Sequence, residues 1–177
     1  DITPDSVSTA FIPIEPLPAP RAGALAVIRQ GRIYLLGGTD SLGRPQSTVY
    51  TGRIGADGHI DGWFVQPPLA GVRAYGGALA RAGRVFTVGG VMDSVPPGGG
   101  LDAGTQRVVT GDTAAVSALS GFFTGVWGAG PALLPEGRSQ FALFDLDSIV
   151  LVVGGMYAGA AANSAETLAA TVVNDSV

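Results

Sequence analysis

The sequence predicts an all-β protein built from repeated four-stranded antiparallel sheets, on three observations. First, a frame of one arginine, two apolar runs and a glycine pair is written three times: "RAGALAVIRQGRIYLLGG" from Arg21, "RAYGGALARAGRVFTVGG" from Arg73 and "RSQFALFDLDSIVLVVGG" from Arg138, with the arginine 16 residues ahead of the first glycine each time. Second, the starts lie 52 and 65 residues apart, a period that suits one supersecondary unit per repeat. Third, 28 glycines and 12 prolines disfavour helix of any length.

Within each unit the elements follow in order. The arginine opens a small or apolar run of about eight residues, the first strand. A short turn comes next: Gln30-Gly31-Arg32, then Ala82-Gly83-Arg84, then Asp145-Leu146-Asp147. The second strand is rich in β-branched and aromatic residues and ends on the glycine pair, where a backbone is allowed that a Cβ would forbid. A third strand is predicted at 48–54, 113–119 and about 165–173. A fourth is marked by Trp63 and Trp127, which lie 10 and 11 residues before the next arginine. Four short antiparallel strands per period, joined by glycine turns, is the sequence form of a β-propeller blade. Small residues in "AGALA" and "YGGALA" suit the crowded inner strands, and the tryptophans are plates that fill the gap between blades.

The thrice-written frame, followed by a tryptophan and a Leu/Pro-rich link such as "PPLAGVR" or "LLPEGR", resembles the kelch repeat of β-propellers, including the galactose-oxidase central-domain type. The resemblance covers essentially the whole chain and implies about three blades. The third unit departs from it by carrying Leu151 where the others carry Tyr34 and Phe86, and Tyr50 has no counterpart on the other third strands.

The two ends read as halves of one sheet. Unit three, 138–177, has a third strand and then ends at "NDSV" with no tryptophan. Phe11 stands 10 residues before Arg21, as Trp63 stands before Arg73; Leu17 stands four before Arg21, as Leu69 and Leu134 do before their arginines; Asp5 precedes Phe11 by six residues, as Asp57 precedes Trp63. Residues 1–20 are therefore expected to be a closing strand and link, with Ser8, Phe11, Ile12 and Ile14 as the assembly strand. Blade 1 is 21–72, blade 2 is 73–137 with a long loop at 91–112, and blade 3 lacks its own outer strand. Propellers generally use about four to eight blades. Closure is thus expected from outside the chain: a homo-oligomer, two copies forming a six-bladed ring by strand exchange; a second chain supplying the remaining blades; or head-to-tail donation into a filament. Each covers an open edge of unpaired N–H and C=O groups.

Composition excludes several chemistries. All 10 basic residues are arginine, which removes lysine nucleophiles and Schiff bases, and the absence of cysteine removes thiol catalysis and disulfides. A net charge of −4 without a basic run argues against nucleic acid. The longest apolar stretch, "IVLVVGGMYAGAAA", is shorter than the roughly 20 residues a membrane helix needs and is broken by glycines. The chain opens on Asp1 and reads as a processed, exported one, extracellular or at the cell surface. Galactose-oxidase chemistry, as the resemblance implies it, needs a cysteine-linked tyrosine and a histidine pair; this chain has no cysteine and one histidine. That histidine, His59 in "GADGHIDGW", sits in a hairpin signature and makes neither a triad nor a metal cluster. Asp145 and Asp147 are read as turn residues rather than a catalytic pair. No catalytic residue, cofactor or metal site is assigned. "VPPGGGLDAG" lacks the Lys-Ser/Thr ending of a phosphate loop and reads as the long loop between strands two and three of blade 2.

The expected function is a non-catalytic protein-interaction or assembly module, with a carbohydrate-binding or sugar-active propeller (glycan partner) and a surface-filament subunit as the alternatives. Long loops on a rigid scaffold are the usual place for recognition. The candidate rim residues are Arg44, Asp93, Asp102 and Arg107, together with the recurring Arg21, Arg73 and Arg138. For those three arginines the weightier expectation is a structural one, bonding carbonyls or acids between blades.

Overall fold

A computed structural model describes residues 13–81, 83–92, 112–116, 123–129, 134–157 and 163–171. The described residues form antiparallel strands and no helix, so none of them belongs to a helix long and apolar enough to cross a membrane. The first sheet runs in chain order from inside to outside: β1 (Leu25–Arg29), β2 (Arg32–Leu36), β3 (Val49–Ile54) and β4 (Ile60–Gln66). The second repeats the order with β5 (Gly77–Arg81), β6 (Arg84–Val88), β7 (Asp112–Val116) and β8 (Phe123–Ala129). After β9 (Arg138–Ser139) comes a third sheet of β10 (Ala142–Leu146), β11 (Ile149–Val153) and β13 (Thr167–Thr171); β12 (Met156–Tyr157) pairs with β9. The innermost strands stand side by side, β1 against β5 and β5 against β10.

Local chemistry explains the strand ends. Gln30 and Gly31 both take positive φ, 49° and 68°, which is the two-residue hairpin turn whose twist matches the strands it joins. In the third sheet β10 continues through Leu146, which pairs with Ile149, so the turn is Asp147 and Ser148 rather than 145–147; Asp147 takes the left-handed position at φ 46° that aspartate tolerates. In the second unit the corresponding turn includes Ala82, which lies outside the described residues, and Gly83 at φ 77°.

The first strands are five residues long, not eight, for a reason that recurs in all three units. The residue after each arginine pairs with the residue after the glycine pair: Ala22 with Thr39, Ala74 with Val91, and Ser139 with Met156. The next residue then takes a left-handed backbone, Gly23 at φ 57°, Tyr75 at φ 59° and Gln140 at φ 55°, and turns the chain into the inner strand.

The sheets pack face to face. Leu25, Tyr34, Leu36 and Val49 of the first are buried with Leu69 against Val85 and Trp127 of the second, with Ala78 and Ala80 alongside. The opposite face of the second sheet, with Leu79, Phe86 and Val88, meets Leu143, Val150, Val152 and Leu168 of the third. Large side chains face small ones across these junctions: Leu25 and Val27 meet Ala78 and Ala80, and a Cβ on Gly77 would stand 2.6 Å from Leu143 Cδ2.

Candidate functional site

The recurring arginine ties one sheet to the next. Its backbone carbonyl accepts from the second glycine of the preceding unit: Gly38 N–H donates to Arg73 O at 2.8 Å, and Gly90 N–H donates to Arg138 O at 2.8 Å. Its guanidinium turns into its own unit and donates to the first glycine's carbonyl, Arg73 Nη1 to Gly89 O at 3.4 Å and Arg138 Nη1 to Gly154 O at 3.1 Å. The 16-residue spacing in the sequence is this second bond. Arg73 is fully buried, as is the Arg138 side chain, so the guanidinium groups of these two candidate rim residues serve the packing of the sheets and are not presented to solvent.

Arg21 behaves differently. It is partly exposed, and it donates to Pro20 O at 2.9 Å and to the Tyr50 hydroxyl at 3.5 Å, with its Cζ 5.6 Å from the Tyr50 ring centre. Arg73 has the first sheet at its back; among the described residues nothing stands behind Arg21 in that way.

Two further sets of junction bonds follow the repeat. Near the inner strands, Tyr75 N–H donates to Gly23 O and Gln140 N–H to Tyr75 O, both at 2.7 Å, so each left-handed residue bonds the one before it. On the outside, Arg73 N–H donates to Gln46 O at 3.0 Å and Leu69 N–H to Ser47 O at 2.9 Å. The Trp127 indole donates to Pro67 O at 3.1 Å, and the Trp63 indole donates to Glu15 O at 3.3 Å. Pro67 and Glu15 each lie six residues before their arginine. The segment at Glu15 therefore crosses the first sheet as the 67–72 link crosses the second.

The third sheet has one face without cover. On the leading faces of the first two sheets four aliphatic residues are buried: Leu25 is 1% exposed, Leu79 4%, Leu36 0% and Val88 1%. The equivalent face of the third sheet carries Phe144 at 49%, Leu146 at 53%, Ile149 at 40% and Val153 at 37%. The first sheet's trailing face is open too, with Ile28 at 65% and Val65 at 69%. Exposed apolar patches of this kind mark interaction surfaces.

Beside the open face lies a polar cluster. Glu166 Oε2 accepts from the Tyr157 hydroxyl at 2.6 Å and from Arg138 Nη2 at 2.7 Å; Ser164 Oγ bonds the Tyr157 hydroxyl at 3.0 Å and accepts from Glu166 N–H at 3.1 Å. The Arg138 guanidinium stacks over the Tyr157 ring at 4.7 Å. These bonds, the tyrosine's first and the arginine's second, hold the Glu166 carboxyl below the ordinary glutamate range. A carboxylate lowered in the folded state adds stability above its unfolded pKa, and that stability is lost as pH falls through the lowered folded value. Thermal unfolding scans from pH 6 down to about pH 3 should therefore show a steeper loss of stability for the native chain than for Glu166→Gln; equal slopes would remove the carboxylate from the account.

The other candidate residues lie elsewhere. Arg44 is held by Asp40, with Nε at 2.8 Å and Nη2 at 2.7 Å from Oδ2, while Asp40 Oδ1 accepts the backbone N–H of Leu42 and Arg44; the Arg44 bond holds the Asp40 carboxyl below its usual range. Arg44 is thus an exposed residue on a loop ordered by its own aspartate. Ile14 is 44% exposed. Ser8, Phe11, Ile12, Asp93, Asp102 and Arg107 lie outside the described residues. Among the described residues no three His, Cys, Asp or Glu side chains gather as metal ligands. His59 is an exposed hairpin residue beside Asp57, Nδ1 to Oδ2 3.3 Å. Asp145, which lies in β10 and not in the turn, is bound by Arg81, whose guanidinium also donates to Asp147 O, so both aspartates tie the third sheet to the second.

Several of these residues escape sequence reasoning. Tyr75 and Gln140 share a backbone conformation with Gly23, yet only the glycine carries a sign of it. Glu166 has no fixed distance from its partners that a repeat would reveal. For Tyr75 and Gln140 the one available signal was position, two residues after the recurring arginine as Gly23 is.

No protein-family model matches the chain, and neither does any curated protein. Among solved structures, "Structure of YjhT" is similar over 91% of this chain and 46% of that one, at 17% sequence identity and a TM-score of 0.64. The chain spans about half the length of that neighbour. Together with the stacked antiparallel sheets, the likeness shows a β-propeller-like fold.

Proposed function

We propose that the chain is a non-catalytic, kelch-like β-propeller module of three blades whose task is assembly: it presents an unfinished ring that further blades complete. The observation that carries this reading is the third sheet's leading face, apolar and solvent-exposed, with Phe144 and Val153 open where Leu79 and Val88, at the same positions of the second sheet, are buried. The last blade's sheet is finished by a strand donated from an amino-terminal segment, residues near Ser8, Phe11, Ile12 and Ile14. In support, the segment at Glu15 already lies in the place of an inter-blade link, and β13 is the outermost described strand of its sheet. A strand donated beside β13 would cover the edge that the described strands leave there.

Sedimentation equilibrium on the chain at micromolar concentration tests the reading. Concentration-dependent association is expected; a stable, soluble, folded monomer at every concentration would overturn it. A second reading, a carbohydrate-binding rim, draws on the cluster of Tyr157, Ser164 and Glu166, whose hydroxyls and half-exposed carboxylate are groups that bond sugar hydroxyls. Binding on a glycan array that Tyr157→Ala abolishes would favour it.

A further inference from the structure

We infer that the chain closes on a second copy of itself, the leading face of the third sheet of one copy packing on the trailing face of the first sheet of the other, so that two equivalent seams make a six-bladed ring. This rests on the assembly reading above and names its partner. The argument comes from comparing the two junctions inside the chain with the seam its outer faces would make.

The first argument is matched chemistry at one position. At the junction of the second and third sheets, Arg81, eight residues after its arginine, meets Asp145, seven after the next: a charged pair. The same two positions at the seam are Leu146 and Ile28, both apolar and both exposed. Beside them, Arg84 of the second sheet becomes Ile149 in the third, and Ile149 pairs with Leu146 across the hairpin. The partner position and its opposite number have changed together, from charge against charge to aliphatic against aliphatic. A face made for an unrelated partner has no reason to match this chain's own trailing face. Size agrees as well: Phe144 would cover Ala26, as Leu25 and Val27 cover Ala78 and Ala80.

The second argument is a set of backbone groups. Carrying each junction bond forward by one unit pairs Gly155 N–H with the partner's Arg21 O. It also pairs the N–H groups of the partner's Arg21, Leu17 and Gly23 with Ser164 O, Ala165 O and Gln140 O. Among the described residues none of these groups has another partner. Space is reserved for the contact. At Gly37 and Gly89 a Cβ would run into the carbonyl of the next arginine, whereas at Gly154 its nearest neighbour is Ser164 O at 3.4 Å. Arg21 of a second copy fits that opening. Two copies give six blades, within the range of about four to eight that close, and two copies approach the length of the structural neighbour.

The test uses native mass spectrometry and sedimentation on the native chain and four variants. The native chain is expected to be a dimer. Ile28→Asp and Leu146→Arg should each weaken association by roughly 30-fold or more, while the double variant, which rebuilds the Arg81 and Asp145 pair across the seam, should restore it. Gly154→Ala, which meets nothing closer than ordinary contact within its own chain, should keep the fold by circular dichroism and lose the dimer. Association that none of the substitutions weakens would overturn the second-copy seam and leave the assembly reading standing. A folded monomer for the native chain would overturn both, and fibres under the electron microscope would overturn the closed ring.

Discussion

Arg73→Ala should destabilise the chain by about 3–5 kcal/mol, while Arg21→Ala at the equivalent position of the first unit should change stability by about 0.5 kcal/mol or less. The two arginines occupy the same place in the repeat, but Arg73 is fully buried between two sheets and Arg21 is partly exposed beside Tyr50. Truncating Arg73 empties a large buried volume and takes a donor from Gly89 O, and water has no easy way to replace either. Arg73→Lys should recover little, since a compact ammonium neither fills the planar slot nor spreads its donors as a guanidinium does. Urea unfolding midpoints, taken at a concentration where the chain is monomeric, check the comparison. Equal losses at positions 21 and 73 would mean that the arginine acts within its own unit and owes nothing to the neighbouring sheet.

Gly37→Ala and Gly89→Ala should each cost about 3 kcal/mol or more, and Gly154→Ala only about 1 kcal/mol. All three glycines hold a left-handed backbone, at φ 63°, 58° and 66°, so the conformational penalty for alanine is shared. The difference is what lies in front of them. A Cβ at 37 meets Arg73 O, and one at 89 stands 2.5 Å from Arg138 O and 2.8 Å from the Phe141 ring; backbone of the next unit must retreat in each case. The same denaturation experiment on dilute protein separates the two contributions. If alanine at 154 were as damaging as at 37, strain in the turn itself would be the whole effect, and the open space beside Gly154 would carry no meaning.

These comparisons mark what could be read from the chain by itself. The repeat, the four-strand order of its first two units and the first turn were legible because each rests on local chemistry: β-branched runs, a Gln-Gly turn, a glycine pair that ends a strand; the third turn, expected at 145–147, falls at Asp147 and Ser148 because β10 keeps pairing through Leu146. The spacing from arginine to glycine was legible as a pattern, and its cause is a bond from Arg73 to Gly89 within one unit. Trp127 was legible as a plate between sheets, and the structure buries it against Leu69 and Val85. The left-handed backbone at Tyr75 and Gln140 was hidden, because neither side chain advertises a conformation that only the crossing from one sheet to the next requires.

Residue identity and local propensity determined the strands, their number per unit and the recurrence of the frame, since these depend on neighbours within a few positions. Only the tertiary structure decided which arginine is buried, which glycine is crowded and which face is left bare. Those properties depend on whether another sheet stands in front of a residue, and three nearly identical stretches of sequence meet three different surroundings: Arg21 with no sheet behind it, Arg73 between two, and Arg138 beside a face still open to solvent.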